Sequence, residues 1–124
     1  MTTPVSEQNI RDTLDELWNG SDKQSTLTMN SALPRRTQRI EITRRQDTLI
    51  AASTVLESAP AERLPNLFEW CRDLELIYLR LEDDTLTAYL HIPKNLGIDE
   101  QLLLLDELAR IADRLEYEVT EGDD

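Results

Sequence analysis

Three carboxylates, Glu82, Asp83 and Asp84, stand side by side in the stretch LIYLRLEDDTLTAYLHI, residues 76–92. Adjacent acids of this kind can hold a divalent cation, or they can be the polar bend between two strands. A calcium loop of the helix–loop–helix type needs oxygen ligands at alternating positions, a central glycine for the sharp turn and a closing glutamate. EDDTLTAYLHIP has none of that order. The acidic end EGDD can gather divalent ions weakly, as any acidic tail can. Calcium at Glu82–Asp84 or at the tail is therefore the chemical alternative, an acidic divalent-cation-binding regulator.

The other reactive side chains are isolated. His91 is the only histidine, and no cysteine or second histidine stands near it in sequence, whereas a zinc site needs several such ligands. Cys71 is the only cysteine and falls on an apolar helical stripe, which reads as a buried structural thiol. A Cys–His nucleophile pair would require the two to meet in space, and they sit on opposing kinds of face. Only three glycines occur, none clustered, so there is no phosphate-cradling loop. The expectation is no catalytic residue, no metal, no cofactor and no enzyme.

PRRTQRIEITRR is the one basic region, with Arg35, Arg36, Arg39, Arg44 and Arg45 against Glu41, a local charge of +4 in a chain of −12. It lacks the aromatic interleaving of a nucleic-acid surface. Arginines on a strand also guard a sheet edge against unwanted pairing, or meet acidic surface on a second copy. The overall charge of −12 repels nucleic acid and anionic membranes and favours basic or neutral partners. With a lone cysteine, no basic-then-apolar leader in MTTPVSEQNIRD and no run near the ~20 apolar residues of a membrane span, a reducing bacterial or organellar interior is expected, and a cytoplasmic protein.

These residues must be positioned by elements that the hydropathy pattern outlines. The chain has 124 residues, 40% apolar and 31% charged, enough for one folded domain over residues 1–119 with an acidic flexible tail at 120–124. Ile10, Leu14, Leu17 and Trp18 form one helical stripe, opened at Thr3–Pro4 or Ser6 and stopped by a left-handed Asn19–Gly20. STLTMN reads as a short strand. TQRIEITRR alternates around Ile40 and Ile42, and TLIAASTVL follows with apolar residues on both faces, a hairpin whose second strand is the more deeply covered. Loops of two or four residues both give sensible pairs in this hairpin, so its register over 39–56 stays open.

Leu64, Leu67, Phe68, Cys71 and Leu74 return to helical spacing, with Ser58 as a cap and Pro65 marking either the start of the regular helix or a kink after its first turn. Trp70 falls off that stripe. In residues 77–92 the alternation is clear. Folding at Asp83–Asp84 sets Leu81 opposite Leu86, Leu79 opposite Ala88 and Ile77 opposite Leu90 on one face, and Tyr78 opposite Tyr89 on the other. Asp tolerates such a bent backbone, so the bend reading accounts for the acidic trio.

The last helix, IDEQLLLLDELARIADRLEYEV, takes Asp99 as its N-cap, with Ile98 and Leu103 at staple positions. Leu104, Leu105, Leu108, Ile111, Ala112 and Leu115 make a wide stripe. Leu102 and Leu103 extend it past what one sheet face covers. Trp70, Tyr78, Tyr89, Leu102 and Leu103 are therefore the candidate partner or dimer surface.

The order helix, three strands, helix, two strands, helix, in a small acidic chain ending in a leucine-rich helix, resembles the type III secretion chaperone-like and YbjN superfamily. The matching stretches are TLIAASTVLESAPAERLPNLFEWCRDLEL, IYLRLEDDTLTAYLHIP and GIDEQLLLLDELARIADRLE, and the likeness runs from about Ile10 to Leu115. It implies a single α+β domain with an antiparallel sheet packed against helices, in the order α-β-β-β-α-β-β-α. It also implies a homodimer that binds a protein partner or effector segment against apolar patches, or acts in regulation. The basic PRRTQRIEITRR departs from what the resemblance suggests for a chaperone strand.

Overall fold

A computed structural model of the chain describes residues 7–20, 23–30, 37–58, 61–72, 74 and 76–120, with the backbone alone at Asn30, Arg63, Trp70, Glu118, Val119 and Thr120. The elements are α1 (Glu7–Asn19), β1 (Gln24–Asn30), β2 (Thr37–Arg45), β3 (Thr48–Leu56), a 3-10 turn at Ala61–Arg63, α2 (Leu64–Cys71), β4 (Ile77–Glu82), β5 (Thr85–Pro93) and α3 (Ile98–Thr120). The fold is α+β, one five-stranded sheet in the order β1-β2-β3-β5-β4 with every neighbouring pair antiparallel. Among the described residues no helix is long and apolar enough to cross a membrane.

Period-2 alternation gives the sheet two unlike faces. One carries Leu27, Met29, Ile40, Ile42, Leu49, Ala51, Val55, Ile77, Leu79, Leu86, Ala88, Leu90 and Ile92, all buried. Helices α1 and α3 lie across it, α3 through Leu105, Leu108, Ile111, Ala112 and Leu115, and α1 through Ile10, Leu14, Leu17 and Trp18. The short α2 packs against β4. The opposite face has no helix on it among the described residues, and its side chains are exposed or half-buried.

The β4–β5 register is the one expected, including Tyr78 opposite Tyr89. Asp83 and Asp84 lie at φ 49° and 70°, the left-handed pair that a two-residue type I′ turn requires. The β2–β3 hairpin resolves to the two-residue loop, because Arg45 pairs with Thr48. Gln46 takes its positive φ of 56°.

Several local expectations are corrected. Gly20 is not left-handed; its N–H donates to the Glu16 carbonyl at 2.8 Å. A β-carbon there would stand 2.7 Å from that carbonyl oxygen, so the chain needs glycine for room. The openings proposed for α1 at Thr3–Pro4 and Ser6 lie outside the described residues, as does the tail expected at 120–124 except for Thr120, which is the last residue of α3. Helix α3 begins at Ile98, which puts Gly97 at the cap, its carbonyl accepting from the Gln101 N–H at 3.0 Å. Asp99 is instead in the first turn, ion-paired with Arg11 of α1 at 2.6 Å. α2 ends at Cys71, short of Leu74, and leaves Phe68 39% exposed although it falls on the helical stripe. Leu81 shares the covered face by register, yet it is 42% exposed because the helical layer does not reach it.

The basic strand is not an edge. β2 lies between β1 and β3, so guarding an edge is not what its arginines do. Arg44 falls in phase with Ile40 and Ile42, reaches the end of α1, and donates to the carbonyls of Leu17 and Trp18 at 3.1 and 2.5 Å. Arg35 and Arg36 lie outside the described residues.

Candidate functional site

The five residues singled out from the sequence do not gather at one place. Leu102 and Leu103 are on the helical side, near the β1 edge; Tyr78 and Tyr89 are on the open face, near the β4 edge. The side chain of Trp70 lies outside the described residues.

The first surface is a groove of about 440 Å³ where the start of α1, β1 and the first turns of α3 meet. Ile10, Met29, Leu102 and Leu103 give it an apolar wall, and Glu7, Asp99 and Asp106 line it with acid. The placement follows from helical geometry. Leu105 and Leu108 must face the sheet, which turns Leu102 toward α1 and Leu103 outward, 71% exposed. Arg11 bridges part of the rim, 2.6 Å from Asp99 and 3.9 Å from Glu7.

The second surface is the open face of the sheet. Its centre is floored by Ile50 and Ala52 of β3, which pair with His91 and Tyr89 of β5 on one side and with Thr43 and Glu41 of β2 on the other. Tyr78 and Tyr89 stack across β4 and β5, centroids 5.5 Å apart and 14° from parallel. The Arg80 guanidinium lies 5.8 Å from the Tyr89 ring centre, and the Tyr78 hydroxyl is 2.7 Å from His91 Nε2. This makes a file of Arg80, Tyr89, Tyr78 and His91 standing on two strands.

The third surface surrounds β4, one of the two sheet edges. Leu76, Leu81 and Phe68 are 56%, 42% and 39% exposed beside it.

The acidic trio forms the β4–β5 bend, its side chains exposed. Among the described residues no group of three His, Cys, Asp or Glu side chains converges as a metal site would. Cys71 is buried, 7% exposed, and desolvation pushes its thiol up to about 11 from an ordinary 9.0. His91 and Cys71 are indeed on different surfaces, one exposed on β5 and one buried in α2.

Sequence reasoning missed the buried polar contacts. Gln38 donates to Asp113 at 3.2 Å and to Glu116 at 3.3 Å, and accepts from Ser53 at 3.1 Å, with Gln38, Ser53 and Asp113 all buried. Asp113 and Glu116 make further interactions besides these. Trp18 Nε1 donates to Gln101 at 2.9 Å, and Gln101 in turn donates to the Leu96 carbonyl at 2.9 Å. The signal was there: Gln38 is in phase with Ile40 and Ile42, and Gln101 with Leu105 and Leu108. A polar residue in an apolar phase announces a buried partner. Among the described residues no buried side-chain N or O atom lacks one.

Compared with protein-family models, with curated proteins and with solved structures, the chain matches none.

Proposed function

We propose that the chain is a non-catalytic binding protein, a cytoplasmic homodimer that holds an apolar segment of a protein partner, as the resemblance to secretion chaperones implies, or serves as a regulatory module, as the resemblance to YbjN-like proteins implies. The observation that carries this reading is the groove between α1 and α3. Leu103 projects into solvent beside Leu102, Ile10 and Met29. A leucine moved from water into such a contact contributes about 1.5–3 kcal/mol, and apolar surface rimmed by charge marks partner sites. The rim of Glu7, Asp99 and Asp106, on a chain of −12, favours a segment whose apolar side chains are flanked by lysine or arginine.

Pairing of two copies is supported by a different surface. β4 is an edge strand with Leu76, Leu81 and Phe68 exposed beside it, and a two-fold contact there would use the same leucines twice. The test separates the two roles. Tagged wild type, Leu103→Glu and Leu81→Glu are each used to capture proteins from the native cell and are each sedimented. The expected result is that Leu103→Glu loses the protein captured by wild type but stays dimeric, and that Leu81→Glu becomes a monomer. Capture of the same protein by wild type and by Leu103→Glu would overturn the groove as the site.

A further inference from the structure

On the open face of the sheet, away from the groove and reaching from β2 to the β4 edge, the charges run against the rest of the chain. Arg45, Arg80 and His91 line a hollow of about 410 Å³ together with Tyr78, Tyr89 and Thr43. One carboxylate, Glu41, shares that lining, and Arg39 stands 3.8 Å from it. Arg80 is engaged with Glu82 at 2.9 Å. Arg45 differs from Arg11, Arg39, Arg44, Arg80 and Arg110, each of which has an acid or a carbonyl: among the described residues none pairs with it. It is exposed, and it lies on the same face of β2 as Thr43.

The Tyr78–His91 contact adds a donor whichever way its proton lies. If the hydroxyl donates to Nε2, the neutral imidazole carries its proton on Nδ1, which is then free to donate. If Nε2–H donates to the hydroxyl oxygen, the phenolic proton is free instead. A neutral His–Tyr pair has two polar hydrogens and spends one on itself. The second is available to the hollow that Arg45 also lines, and the planar fork of a guanidinium matches carboxylate or phosphate oxygens. The floor of the hollow is apolar, Ile50 and Ala52, both half-buried.

We propose that this hollow binds a small organic anion, its carboxylate or phosphate held by Arg45 and the Tyr78–His91 pair and its apolar body resting on Ile50 and Ala52. The volume is in the range of small-molecule sites, and a fork donor plus a neutral donor over an apolar floor is the pattern such sites use. Glu41 sets a limit on the ligand: a second anionic group on that side would be repelled, so a single oxyanion is favoured over a polyanion.

His91 is the only histidine in the chain, so its imidazole resonances report on this hollow without assignment ambiguity. The probes are benzoate and phenyl phosphate, with inorganic phosphate, sodium chloride and benzyl alcohol as controls, titrated into wild type and Arg45→Gln. Saturable shifts of the His91 signals with benzoate or phenyl phosphate are expected, and which of the two binds more tightly names the head group. Arg45→Gln should weaken that binding about tenfold or more, the loss of one charge-assisted hydrogen bond, with circular dichroism unchanged. Tyr78→Phe should weaken it by a smaller factor. Shifts that rise linearly without saturation, that sodium chloride reproduces, or that Arg45→Gln leaves untouched would overturn the proposal.

Discussion

Arg44 and Trp18 are joined twice: the guanidinium donates to the Trp18 carbonyl at 2.5 Å and lies 5.5 Å from the centre of its ring. The side chain thus satisfies carbonyls left over at the C-terminus of α1, places a cation at the negative end of that helix, and ties the helix to an interior strand. A charge that looks from the sequence like part of a basic patch is spent inside the molecule. Arg44→Met keeps the stem and removes the donors. It should lower stability by about 1–3 kcal/mol, read as a shift in the urea midpoint with unchanged slope, and Arg44→Lys should recover only part of it.

The end of α1 has a second requirement. Gly20→Ala sets a methyl group against the Glu16 carbonyl, at 2.7 Å in the present backbone. A net loss of about 1–2 kcal/mol is expected, even after the smaller gain from stiffening the unfolded chain. Thermal unfolding of Gly20→Ala beside wild type measures it, and an unchanged or raised midpoint would contradict the crowding described.

At the β4–β5 turn the sign reverses. Asp83 and Asp84 both bear positive φ, which glycine adopts without the β-carbon penalty. Asp84→Gly, or Asp83→Asn with Asp84→Gly, should be neutral or stabilise by about 0.5–1 kcal/mol. A large loss of stability, above all one restored by added calcium, would show the turn to be a site and not only a bend.

Cys71 makes the alkaline limb informative. Its thiol is pushed up to about 11 in the folded chain, against 9.0 for the ordinary group. Below pH 9 both forms hold the proton and the stability is fully present. From pH 9 to about 11 the unfolded chain loses the proton first, so stability falls as pH rises. Cys71→Ala should flatten that part of the stability–pH curve, and the native thiol should react with an alkylating reagent far more slowly than the unfolded one at pH 8.

Assembly depends on which forces hold the pair. Two chains of −12 repel each other over a Debye length of about 8 Å at physiological salt. A pair held by Leu76, Leu81 and Phe68 should persist or tighten as salt rises, whereas one held by exposed arginines should loosen. The former is expected, since exposed ion pairs contribute only about 0–1 kcal/mol each. Sedimentation at low and high salt decides it, and a monomer at micromolar concentration in every buffer would remove the dimer.

What the sequence determined by itself is what repeats over short distances. The period-2 runs of β4 and β5 carry their own faces, and folding at Asp83–Asp84 sets Ile77, Leu79, Ala88 and Leu90 together in the pairing that is observed. The stripes of α1 and α3 likewise identify their buried faces. The order of the sheet, with β5 inserted between β3 and β4, was decided by packing over distance, and it made β2 interior and β4 an edge. That order sent Arg44 inward, set Arg45, His91 and Tyr78 around one hollow, and parted the two tyrosines from Leu102 and Leu103. Gln38 shows the reason most plainly. Its phase says that it is buried, but its partner Asp113 lies 75 residues further along, and no local pattern names a partner that only the closed sheet and α3 bring within 3.2 Å.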